Sequence, residues 1–122
     1  MNPRARQLAI LLMLAVTSFW VSSKTPDCTN PNAWPAAMAF THLKNDGVVN
    51  NDAFDFKKTL VTKLASEKID KDLYRQIHLV RFTRKSGEAI EAITVNEASG
   101  EECSMSGVDV YPITKRLGDY SN

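Results

Sequence analysis

The chain contains 122 residues, of which 43% are hydrophobic and 24% are charged. This length suits one domain, and the composition excludes disordered and collagen-like chains. The formal net charge is +1, and removal of a leader that carries Arg4 and Arg6 leaves 13 Lys and Arg against 14 Asp and Glu. A nearly neutral domain lacks the basic surface that nucleic acids and anionic membranes attract, so neither is expected as a partner.

Residues 1–23 have the pattern of a secretory signal peptide. Two arginines precede a mostly apolar run from Leu8 to Val21, and the small residues Ser22 and Ser23 follow it. The run has 14 residues, which is shorter than the ~20 residues of a membrane span. We therefore expect cleavage after Ser23 and no lasting membrane anchor. The chain then divides into a signal peptide, residues 1–23, and one small domain, residues 24–122, in the periplasm or outside the cell.

Two cysteines, Cys28 and Cys103, remain after cleavage. Two thiols in an oxidising compartment normally pair, so the sequence predicts a disulfide between them. This bond would join residues that are 75 positions apart and would act as the main covalent constraint of the domain. It would also fix Cys28 in the otherwise extended lead of residues 24–32.

One helix is predicted near the start of the domain. Pro35 suits the first helical turn, and the alanine-rich sequence after it favours a helix. Asn45-Asp46-Gly47 is a typical stop signal, so the helix should run from about 35 to 45. The polar residues 48–55 indicate a loop, and no calcium-binding pattern is present in them.

Residues 56–65 fit two interpretations. The four-residue spacing of Phe56, Leu60 and Leu64 suits a helix, whereas the alternating pattern and the β-branched residues suit a strand. A strand is preferred because it gives the hairpin that follows a third strand. Residues 66–72 are expected to form a charged connection.

The segment 73–95 predicts the hairpin around which the domain is organised. Its first strand has apolar residues on both faces in its second half, so it should be central and partly covered on both sides. Gly87 marks the turn, and residues 89–95 form the return strand. Residues 96–107 are expected to be a loop. A last strand should follow at 108–117, where Pro112 confines it to a sheet edge or a bulge.

These elements predict an α+β fold with one N-terminal helix packed on a four-stranded antiparallel sheet. In element order this architecture resembles cystatin-like domains, in which a helix covers one face of a curved antiparallel sheet. The resemblance concerns architecture and carries no function.

No pattern of catalytic or metal-binding residues stands out. Cys28, His42, His78 and Cys103 lack the close spacing of a zinc site. Ser104 or Ser106 could be combined with His78 and Asp109 into a catalytic triad by residue type alone. No nucleophile motif surrounds either serine, so a triad is not expected. Phosphate and dinucleotide motifs are also absent. We therefore expect neither a cofactor nor a metal, and we do not expect an enzyme.

Surface charge provides the remaining indications. The predicted loop carries Glu97, Glu101 and Glu102 next to Cys103, so the disulfide should preorganise these carboxylates for docking. Arg75, Arg81 and Arg84 form a basic stretch of the hairpin, and arginine is enriched in interfaces. Both groups are candidate contacts for a protein partner.

The sequence thus favours an exported binding protein, most concretely an inhibitor or immunity protein that occupies a toxin or a hydrolase. An alternative is a module that binds a small molecule or an envelope component on the concave sheet face, with Tyr74, His78 and Phe82 as its lining. A third hypothesis is a small hydrolase with a site at Ser104, Ser106 and His78.

Overall fold

The computed structural model describes residues 24–50, 53–114 and 117. Its elements are helix α1 (Trp34–Asn45), a 3-10 helix (Phe56–Lys58) and the strands β1 (Leu60–Asp70), β2 (Leu73–Thr83), β3 (Ala89–Ala98) and β4 (Asp109–Pro112). The strands form one antiparallel sheet in sequence order. The predicted architecture of one helix on a four-stranded antiparallel sheet is therefore confirmed.

The predicted signal peptide lies outside the described residues. Within them, no helix has the length and apolarity that crossing a membrane requires.

Helix α1 begins and ends close to the predicted bounds. Pro35 occupies its first turn, where the missing N–H breaks no helical hydrogen bond. Gly47 follows with a φ of +75°, and the Val48 N–H donates to the Leu43 carbonyl, which closes the last turn. A positive φ favours glycine, so the sequence signal for the helix end had a direct conformational cause. Ala39 and Leu43 face the core.

The strand interpretation of residues 56–65 is confirmed from Leu60 onward, after one turn of 3-10 helix. The expected charged connection at 66–72 is wrong, because β1 continues to Asp70 and only a tight turn precedes β2. β1 is an edge strand, and its second half is exposed to water on both faces. Charged side chains are therefore compatible with pairing there, although they are depleted in buried strands. Two register shifts interrupt its pairing with β2, as is common on edge strands.

Strands β2 and β3 form the centre of the sheet. The Arg84 N–H donates to the Glu88 carbonyl across their turn, and Gly87 adopts a φ of +94°, as the predicted turn requires. β2 is central, as expected, and on the open face its second half is only partly covered, because Leu79 and Thr83 are half-buried and Arg81 is exposed. Burial alternates along it, with every second residue from Tyr74 to Phe82 buried and the residues between them half-buried or exposed. One face of the sheet is therefore covered and the other is open.

The C-terminal part differs from prediction in its boundaries. β3 extends to Ala98, so the loop begins three residues later than expected, because Asn96 and Ala98 are buried on the covered face. β4 has four residues and ends at Pro112, whereas ten residues were expected. The prediction that Pro112 places this strand at a sheet edge is confirmed.

Helix α1 and the 53–58 segment enclose the core on the covered face. The buried cluster contains Ala36, Ala39, Leu43, Val49, Phe54, Val80 and Phe82. The Phe82 ring lies edge-on to the rings of Phe40 and Phe54, at centroid distances of 6.0 and 5.8 Å. Such contacts stabilise aromatic pairs beyond the burial of their surface.

The predicted disulfide between Cys28 and Cys103 is confirmed, with a Cα–Cα distance of 5.8 Å. It holds the lead over the covered face, where the Gln76 Nε2 donates to the Pro26 carbonyl at 2.9 Å. On the other side of the bond, the Asn96 Nδ2 donates to the Cys103 carbonyl at 2.8 Å. A disulfide fits an oxidising, exported location.

Candidate functional site

A groove runs beneath α1, from the region of Val95 and Glu97 on β3 past the start of β4 to the outer edge of β4. It consists of two adjoining cavities of about 510 and 530 Å³ that share His42, Val108 and Asp109. One cavity also contacts Asn45, Asp46 and Pro112, and the other reaches Met38, Asn96 and Ser106. We call this feature the β4 groove.

The position of β4 at the sheet edge determines what the β4 groove offers to a ligand. The Ile113 N–H donates to the Glu91 carbonyl, and hydrogen-bonded residues alternate along an antiparallel strand. Tyr111 and Asp109 therefore pair toward β3, whereas Val110 directs its N–H and carbonyl outward. Pro112 offers only a carbonyl on the same side, because it has no N–H. The groove thus exposes a short row of backbone groups to which an extended chain can add.

The side chains of the β4 groove combine an apolar floor with acidic rims. Leu43 and Val108 are buried at its base. Asp46, directly after α1, and Asp109, at the start of β4, are exposed on its two sides. Carboxylates flanking an apolar channel favour a ligand that is extended, partly apolar and positively charged.

One end of the groove meets an ion pair that joins β2 to β3. The Arg75 Nη2 lies 3.4 Å from the Glu97 Oε1, and both side chains are partly exposed. The two residues are directly opposite in the strand register. Because Arg75 already neutralises Glu97, Asp46 and Asp109 are the carboxylates of the groove that remain without an ion pair among the described residues.

The six predicted partner-binding residues occupy three places. Arg75, Arg81 and Glu97 project from the open sheet face, and Arg81 stands six residues from Arg75, about 20 Å along the strand. Glu101 and Glu102 are exposed in the loop after β3. Arg84 lies at the hairpin turn, where it pairs with Glu88 and stacks over the Phe54 ring.

Hydrogen bonds within the loop after β3 order Glu101 and Glu102. The backbone N–H groups of Glu101 and Glu102 donate to the Ser99 hydroxyl, and the Ser104 hydroxyl donates to the Glu102 carboxylate at 2.6 Å. These bonds join residues of the loop to one another. The three arginines, in contrast, do not form one patch.

The proposed small-molecule lining does not form an open surface. Tyr74, His78 and Phe82 lie on the covered face, and each is 6% exposed or less. Around His78, four polar side chains of β2 and β3 lie next to one another on the covered face. Thr94 lies opposite His78, and Asn96 lies opposite Gln76. Five polar atoms of these four side chains, including both His78 ring nitrogens, form no hydrogen bond within the described structure.

The environment of His78 predicts a pH-dependent stability. Burial lowers the pKa of His78, Lys63 lowers it further, and Asp27 acts in the opposite direction. The unfolded chain therefore binds a proton more readily than the folded chain. The contribution of neutral His78 to the free energy of unfolding should be fully present above about pH 6.5. It should be lost as the pH drops through that value toward the folded-state pKa.

Urea unfolding at several pH values between about 7 and 5, where ordinary carboxylates remain ionised, measures this effect. The His78→Gln variant should show a flatter dependence in that interval. An equal slope in wild type and variant would contradict the assignment to His78.

The serine and metal hypotheses receive no geometric support among the described residues. The Ser104 hydroxyl donates to Glu102, and the Ser106 hydroxyl donates to the Gly107 carbonyl. Neither is bonded to His78. The cysteine thiols are consumed by the disulfide, and no group of three potential metal ligands occurs in the described part of the chain.

The sequence did not reveal the β4 groove. Pro112 indicates an edge strand, and Asn45-Asp46-Gly47 indicates only a helix stop. Only the packing of α1 across the sheet brings Asp46 and His42 beside β4. Comparison with protein-family models, curated proteins and solved structures finds no match.

Proposed function

We propose that this protein is an exported protein-binding domain that holds an extended, basic segment of a partner protein in the β4 groove. Three features of the groove together support this proposal. Among the described residues, β4 has an unpaired outer edge, the floor is apolar, and two carboxylates have no ion pair. The segment would add to the sheet through Val110, and its cationic side chains would reach Asp46 and Asp109. In the most concrete form, the segment is a basic loop of a toxin or hydrolase that the domain blocks.

The rigidity of the groove supports this proposal. α1 packs on the core through Leu43, and the disulfide fixes the chain that leads to the loop before β4. A preorganised groove loses little conformational entropy on binding, so its backbone contacts contribute more of their free energy to affinity. Glu101 and Glu102 add a negative field at the surface, which accelerates the approach of a basic partner at low salt.

Selection of displayed random peptides against the oxidised protein tests the proposal. We expect enrichment of extended sequences that carry Lys or Arg between β-branched residues. The Asp46→Lys/Asp109→Lys variant should bind a selected peptide roughly tenfold or more weakly, because two attractive contacts become repulsive. The matched control Glu67→Lys/Asp70→Lys makes the same charge change on β1, at the opposite edge of the sheet, and should retain binding.

Val110 provides a second, backbone-specific test. The Val110→Pro variant removes the outward N–H without removing a ladder bond to β3, so affinity should fall roughly threefold to tenfold. Val110→Ala keeps the N–H and controls for the change in side-chain packing. Enrichment of acidic or unrelated peptides, or equal binding by the Val110→Pro and Val110→Ala variants, would overturn the proposal.

A further inference from the structure

The open face of the sheet has an apolar centre. Two adjacent rows cross all four strands: Thr62, Leu79, Ile93 and Tyr111 in one, and Ala65, Ile77, Val95 and Asp109 in the other. Leu79, Ile93, Ile77 and Val95 are half-buried, and Tyr111 is 55% exposed. Nothing in the described part of the chain covers these rows. Contiguous apolar surface of this kind marks an interaction site.

Charged pairs bound this apolar centre at both ends. Arg81 lies opposite Glu91 in the row on one side, and Arg75 lies opposite Glu97 in the row on the other side. In both rows the arginine belongs to β2 and the glutamate to β3. Arg81 and Glu91 form no ion pair with each other within the described protomer, so both charges are available.

This arrangement is complementary to itself. If a two-fold axis runs parallel to the strands between β2 and β3, each β2 residue of one copy faces its own β3 partner in the other copy. Arg81 then meets Glu91, Arg75 meets Glu97, and Leu79 meets Ile93 across the interface. An axis perpendicular to the strands would instead place Arg81 on Arg75 and Glu91 on Glu97, which is repulsive. The charges therefore select one orientation.

We propose that two copies of this domain dimerise face to face through the open sheet face, about a two-fold axis parallel to β2 and β3. The arrangement is isologous and closed, and it aligns the strands of the two sheets as in a β-sandwich. The outer backbone edge of β4 takes no part in this contact, but Val95 and Asp109 belong both to the open face and to the lining of the β4 groove, so the two surfaces overlap there.

The size of the face predicts how strong the dimer is. Four strands spaced by about 4.8 Å and about 20 Å between the two charged rows give a footprint of roughly 400 Å² per protomer. Interfaces below about 1,200 Å² in total belong to weak, reversible associations. The dimer should therefore be concentration-dependent and in rapid exchange with the monomer.

Sedimentation of the oxidised protein, residues 24–122, over a range of concentrations tests this inference. Wild type should approach the dimer mass as concentration rises. The Arg81→Glu and Glu91→Arg variants should each be shifted toward monomer, because like charges then face each other. An equimolar mixture should recover the dimer. In the mixed dimer, the carboxylate introduced at position 81 of one chain meets the guanidinium introduced at position 91 of the other. The native Glu91 of the first chain likewise meets the native Arg81 of the second.

The mixture separates an interface effect from misfolding, because neither chain alone can produce the recovery. Leu79→Asp, at the centre of the face, should abolish association, and circular dichroism should show that its fold is retained. A wild-type protein that stays monomeric at about 1 mM would overturn the inference. So would a stronger dimer of Arg81→Glu, no recovery in the mixture, or an unchanged dimer of Leu79→Asp. Peptide binding in the β4 groove, measured separately, is expected to survive all three substitutions.

Discussion

Loss of the Cys28–Cys103 disulfide is expected to lower the free energy of unfolding by about 2–5 kcal/mol, the range found for native disulfides of small domains. The bond joins residues separated by 75 positions. In the chain-entropy model a loop of this size contributes about 4.5 kcal/mol, before any native strain is subtracted. A domain of this size has a total stability of about 5–15 kcal/mol, so this one bond supplies a large share. It also holds the Pro26 carbonyl over Gln76, a contact that should loosen with it.

Urea unfolding of wild type with and without reductant, and of the Cys28→Ala/Cys103→Ala variant, measures this contribution. Reduced wild type and the variant should unfold at similarly low urea concentrations, and the variant should not respond to reductant. A difference of less than about 0.5 kcal/mol between oxidised and reduced wild type would show that the bond does not stabilise the fold.

The second large effect is expected for Phe82→Ala, at about 3–5 kcal/mol of destabilisation. Phe82 is 2% exposed and contacts the rings of Phe40 and Phe54 between the sheet and α1. Truncation removes a buried ring and leaves a cavity that neighbouring rings in fixed positions fill only partly. A loss of this size indicates a tightly packed aromatic core, whereas a much smaller loss indicates that the neighbouring rings rearrange to fill the cavity.

Phe56→Ala is the matched control, because the same side chain is removed at a position that is 49% exposed. Its cost should be about 1 kcal/mol, since half of the ring already contacts water. Equal losses for the two substitutions, measured by urea unfolding at one pH, would contradict the placement of Phe82 at the centre of the core.

The β4 groove and the open sheet face would bind their partners through different groups of the same sheet. The groove lies against the edge strand and requires β4 to stay unpaired on its outer side. The open face uses side chains of all four strands, Asp109 among them, and none of the backbone groups at the sheet edges. Dimerisation therefore leaves the backbone edge of β4 free, whereas the side chains of Val95 and Asp109 are shared between the two surfaces.

Local sequence features were sufficient for much of the fold. Pro35 and Gly47 marked the ends of α1 because each acts through its own backbone. Gly87 marked the central turn for the same reason, and Pro112 marked an edge because it lacks an N–H. The disulfide followed from a count, since only two thiols are present.

Only the tertiary structure decided how the faces and edges of these elements are used. The charged residues 66–70 extend β1 because the strand lies at an edge, and position in the sheet is not encoded locally. The apolar residues of β2 indicate partial cover on both faces, but only the tertiary structure decides that α1 and the lead bury one face while the other stays half-buried. The groove between Asp46 and Asp109 joins residues that are 63 positions apart (109 minus 46) and depends on how α1 crosses the sheet. Likewise, the strand register places Arg81 opposite Glu91, and the alternation of side chains along each strand puts both residues on the open face.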